Sequence, residues 1–123
     1  MIVKVYIPHD PHRFDLDDMR RGCPQLFAAL ASESVSVTSV TWDGEIESLP
    51  KQEQVIVLVT TRLVKRYDGT FAELTSYCYK YQHLMIIFDE GVVGPNAELF
   101  LADEDPFEFK MTIRQFLDCL PKH

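Results

Sequence analysis

Apolar and polar positions alternate through residues 2–7 (IVKVYI), and the β-branched side chains among them predict a first strand that ends at Pro8. A second alternating run, VSVTSVTW over residues 35–42, predicts a strand with one wetter face. Residues 55–59 (VIVLV) are apolar throughout, as suits a central parallel strand covered on both sides, and residues 84–88 (LMIIF) read as another buried strand. After the turn-rich DEGVVGPN, residues 98–102 (ELFLA) predict a last strand.

Helical spacing fills the gaps between these runs. Pro24 suits the first turn of a helix over PQLFAALASE that buries Leu26, Phe27 and Leu30. Phe71, Leu74, Tyr77, Cys78 and Tyr81 lie on one face of a helix from Phe71 to Gln82. Asp105-Pro106-Phe107-Glu108 supplies a cap, a first-turn proline and a capping-box acid for a terminal helix packed through Met111, Phe116, Leu117 and Leu120. Residues 8–22 read as a loop with a helical turn, and Asp43 to Gln54 leaves room for little more than another turn. The order β-α-β-β-α-β-β-α predicts a three-layer α/β sandwich around a mostly parallel, five-stranded, flavodoxin-like sheet. A length of 123 residues predicts one domain, 1–123.

Composition narrows the partners. A net charge of −7 offers no basic field for a nucleic-acid polymer, and no apolar run approaches the roughly 20 residues of a membrane span. The apolar stretch of MIVKVYIPHD is too short for a secretion signal, so a cytoplasmic protein is expected. Cys23, Cys78 and Cys119 are odd in number and far apart, which predicts reduced thiols acting as small hydrophobes.

Candidate chemistry centres on YDGTFAEL, residues 67–74. Thr70-Phe71-Ala72-Glu73 fits a capping box, in which Glu73 would only close the start of its helix. The same glutamate follows a central strand, on the side where open parallel sheets bind ligands, and the helix dipole favours its ionised form. An ionised carboxylate there suits a nucleophile or an electrostatic stabiliser, and both readings stay open.

The stretch Gly69-Thr70, two apolar residues and Glu73, with Lys4-Val5-Tyr6-Ile7 as first strand, resembles the nucleoside 2-deoxyribosyltransferase pattern. It is similar also to the deoxynucleoside-monophosphate N-glycosidases. Thr60-Thr61 followed about a dozen residues later by Glu73-Leu74 resembles the TIR-domain NAD hydrolases. These resemblances imply cleavage of an N-glycosidic bond in a nucleoside, nucleotide or NAD-like dinucleotide, by hydrolysis or transfer, with no cofactor or metal. Glu73 would attack or stabilise the anomeric carbon, Tyr6 would orient it, and Asp68 would contact the leaving base or a sugar hydroxyl. Tyr6 also reads as an inward strand aromatic, and Asp68-Gly69 as plain turn chemistry. The chain departs from the transferase pattern at Tyr67, where that family carries its acid. A homo-oligomer is a further implication of the resemblance.

Arg13, Trp42 and Thr70 are the candidate substrate-binding residues: Arg13 for a phosphate, Trp42 to stack a base, Thr70 beside the glutamate. Solvated loop charge and a core-edge tryptophan are the plainer accounts of the first two. His9-Asp10-Pro11-His12 lacks further ligands at a usual metal spacing, and His83 falls at a helix-to-strand turn on the opposite edge. The competing class is a non-catalytic, TIR-like or transferase-like interaction module presenting Tyr79 with Tyr77 or Tyr81.

Overall fold

The computed structural model describes residues 1–9, 16–22, 24–60, 71–88 and 106–121. Strands β1 (Ile2–Pro8), β2 (Ser36–Trp42), β3 (Ile56–Thr60) and β4 (Leu84–Phe88) form a parallel sheet in the order β2-β1-β3-β4. Around it lie helices α1 (Leu16–Gly22), α2 (Pro24–Ser32), α3 (Phe71–Lys80) and α4 (Pro106–Cys119). The protein is therefore α/β, and its order is compatible with a flavodoxin-like sheet. Four strands are present among the described residues, where five were expected; the segment 98–102, expected to supply the fifth, lies outside them.

The continuous apolar run becomes the centre of the sheet. Val55, Ile56, Val57, Leu58 and Val59 are each fully buried, because β3 runs between β1 and β4 with side chains packed on both faces. Ile56 and Leu58 join Val3, Val5, Leu84 and Ile86 on one face, under Met19 of α1, Leu26 and Leu30 of α2, Ile113 and Phe116 of α4, and Leu120 just beyond that helix. Val55, Val57 and Val59 turn the other way, against Leu74 and Cys78 of α3. Helices on both faces make the sandwich three-layered. The 8–22 segment, expected as a loop with a helical turn, contains a short helix, α1, whose Met19 is wholly buried.

Both α2 and α3 end in the same backbone motif. Val35 N–H donates to Leu30 O at 2.8 Å and His83 N–H to Cys78 O at 2.8 Å, with Ser34 (φ 60°) and Gln82 (φ 62°) in the left-handed region between. Gln82 thereby reverses the chain at once and delivers His83 to the start of β4.

The crossover from β2 to β3 is short. It contains a 3-10 turn, Ile46–Ser48, in place of a full helix, as its length predicts. Over the N-terminal ends of β1 and β2 that face of the sheet consequently stays open: Ile2 is 69 % exposed, and Lys4, Ser36 and Thr38 are exposed with it.

Candidate active site

Side-chain hydrogen bonds hold the crossover in shape. Trp42 Nε1 donates to Glu45 O at 2.9 Å, and Asp43 accepts from Glu45 N–H and from Ser48 Oγ, both at 2.9 Å. Tyr77 Oη of α3 donates to Leu49 O at 2.9 Å. His83 closes the far end: its Nδ1 accepts from Val55 N–H at 3.2 Å, which leaves Nε2 to donate to Pro50 O at 2.8 Å. These bonds set the distance between the crossover and α3.

Between the two lies a hollow of about 460 Å³, lined by Ile46 and Glu47 from the turn and by Glu73, Ser76, Tyr77 and Lys80 from the helix. It is a shallow groove open to solvent, with a volume within the roughly 300–1,000 Å³ of small-molecule sites. Glu73 stands in the first turn of α3, where the helix dipole favours negative charge. It is exposed, and among the described residues its carboxylate has no hydrogen-bond or ion-pair partner. Thr70, the other half of the expected capping box, lies outside the described residues.

Helical repeat selects the rest of the lining. From Glu73, the third, fourth and seventh positions onward are Ser76, Tyr77 and Lys80, one face of the helix. That spacing was available in the sequence; the pairing with Glu47 across the crossover was not. Tyr77 is half-buried, and burial, followed by the nearby Tyr81, Cys78 and Glu47, raises its pKa. It is thus a fixed neutral donor. Lys80 sets its ammonium 5.3 Å from the centre of the Tyr81 ring.

Of the expected catalytic and substrate-binding residues, Glu73 alone among the described residues lines this hollow. Tyr6 is half-buried on the same face of the sheet, packed against the cluster that holds Val57 and Leu74, and is not part of the hollow's wall. Trp42 is 2 % exposed, which corrects its expected base-stacking role: its ring is packed in the core, with Leu49 and Val57 in the same cluster. Asp68 and Arg13, like residues 10–12 of the histidine pair, lie outside the described residues. Among the described residues no group of three or more His, Cys, Asp or Glu side chains is placed to hold a metal.

A larger cavity, about 780 Å³, opens between α3 and α4 beside β4, with Cys78, Tyr79, His83, Phe116 and Cys119 on its walls. Two of its groups, Cys78 and His83, are not poised for chemistry. Burial pushes the Cys78 thiol up to about 12, so it stays protonated. Both ring nitrogens of His83 are committed to backbone partners.

His83 carries a prediction of its own. It is 8 % exposed, and burial lowers its pKa below 6.5, against the opposing pull of the Pro50 carbonyl and Glu53. Below pH 6.5 the unfolded chain therefore binds the proton more readily than the folded one. The stabilisation is complete above pH 6.5 and is lost as the pH falls through the lowered folded value, where Nδ1 gains a proton and can no longer accept from Val55. Urea unfolding of the wild type and His83→Gln across this window should show a pH slope that the variant lacks; equal slopes would refute the assignment.

Comparison with protein-family models, curated proteins and solved structures finds no match for this chain.

Proposed function

We propose that the chain cleaves the N-glycosidic bond of a nucleoside, nucleotide or NAD-like dinucleotide, by hydrolysis or transfer, with Glu73 as the reacting carboxylate. One observation carries this: an exposed carboxylate without a partner among the described residues, at the start of a helix, facing a hollow of ligand size. The flavodoxin-like reading of the β2-β1-β3-β4 order accompanies it. Glu73 attacks the anomeric carbon, or stabilises the positive charge that develops there as the base departs. Glu47, on the opposite wall, offers a second carboxylate to sugar hydroxyls or to the incoming water. Lys80, roughly 10 Å along the helix from Glu73, offers a cation to a substrate phosphate. The test is release of base or nicotinamide from a panel of nucleosides, their monophosphates and NAD, followed by chromatography. Release from none of them overturns the proposal.

A second reading has its own support. Tyr79 is 88 % exposed, and its neighbours Tyr77 and Tyr81 are only half-buried, with ring centres 4.5 Å apart. Exposed aromatic surface suits an interaction module. Under that reading the panel stays intact, and Tyr79→Ser weakens binding to the partner protein without changing the fold.

A further inference from the structure

We infer that β2 is a self-pairing edge, through which two copies of this chain join antiparallel along Ser36–Trp42 into one continuous sheet. On its inner side β2 pairs with β1 at every position, from Ile2↔Ser36 to Pro8↔Trp42. Its outer side has no neighbouring strand among the described residues. A strand bonded on one side turns alternate N–H and C=O groups outward, and proteins usually shield such a row with lysine, proline or a bulge. Ser36–Trp42 contains no lysine, proline or charged residue.

Charge restricts where a second copy can approach: the chain carries −7, so two copies repel over most of their surface, and that repulsion is least along a strand without charged residues. Access is open as well. Among the described residues no helix overhangs the edge on the side of Ile2, Lys4 and Thr38, and Ser39 and Thr41 are exposed on the other side.

The strand is also complementary to itself. A two-fold axis normal to the sheet keeps the same face upward in both copies, so the residue numbers of each opposed pair add to one even total. The register that uses the whole of β2 sets Ser39 on the axis. Val37 of one copy then faces Thr41 of the other, and Thr38 faces Val40, so each half-buried valine meets an exposed threonine. Such β-branched cross-strand pairs are favourable in antiparallel sheets. A contact one strand wide is smaller than the roughly 800 Å² per partner of a stable interface, so the dimer forms as concentration rises.

Sedimentation over a roughly hundredfold concentration range should show the mass climbing from 14.2 kDa towards twice that value. Ser39→Lys sets two cations side by side at the axis and should hold the mass at 14.2 kDa, with an unchanged circular dichroism spectrum. Ser39→Cys, oxidised with oxidised glutathione, should give a cross-linked peptide joining the two introduced thiols, because directly opposed Cα atoms lie about 4.5–5.5 Å apart. A wild type that stays monomeric overturns the inference, even if a foreign strand can occupy the edge. A folded Ser39→Lys variant that still dimerises also overturns it. Should Ser39→Lys misfold, absence of the Ser39→Cys cross-link decides against it.

Discussion

Glu73→Gln should reduce base release by on the order of 10³-fold or more while moving Tm by no more than about 2 °C. Glutamine matches glutamate in size and still serves at the third position of a capping box, so the start of α3 keeps what local support it has. What disappears is the negative charge that would attack or stabilise the anomeric carbon. The side chain is exposed and has no partner among the described residues, so no buried network is broken by the exchange. Glu73→Asp adds a positional test: the charge stays but retreats by one methylene, and turnover should fall with little change in substrate binding. A Glu73→Gln protein that retains wild-type turnover would remove Glu73 from the chemistry. One that loses activity and unfolds together would make it a helix cap.

Trp42→Ala should cost about 3–5 kcal/mol of stability, a large share of the roughly 5–15 kcal/mol available to a domain. The ring is 2 % exposed and belongs to the cluster of Leu49, Val55, Val57, Val59 and Leu74, so its removal leaves a cavity under the crossover. It also frees Glu45 O from the indole N–H. Trp42→Phe separates the two effects: it keeps an aromatic filler, loses the hydrogen bond, and should cost about 1–2 kcal/mol. Urea denaturation followed by far-ultraviolet circular dichroism measures both. A loss below about 1 kcal/mol for Trp42→Ala would put the ring outside the core and return it to the list of base-stacking candidates.

Strand positions were legible because their causes are local. The uninterrupted VIVLV run leaves no polar face, and β3 is accordingly central, while the alternating SVTSVTW becomes the wetter edge strand β2. Helix α3 follows from apolar spacing alone, and its terminus from the tight turn at Gln82. The DLDD helix was legible only as a helical turn, since its apolar anchors are just Leu16 and Met19, three apart among charged residues. Trp42 shows the same limit at the site. Sequence places it at the end of a strand, but only the fold decides whether the residues after it cover its ring. Glu47 escaped notice because its opposition to Glu73 depends on where a non-helical crossover lands. Nothing periodic announces that contact.

The crossover's tethers have a consequence for selectivity. Bonds from Trp42, Asp43, Tyr77 and His83 fasten the strip from Glu45 to Val55 at several points along its length. A jaw clamped this way works as a fixed gauge: it cannot swing shut around whatever arrives, so compounds are sorted by their girth before any reaction starts. Little ordering entropy is then left to lose on binding. Loosening one rivet, as Tyr77→Phe would at Leu49, should therefore broaden the range of molecules admitted and weaken the grip on each of them.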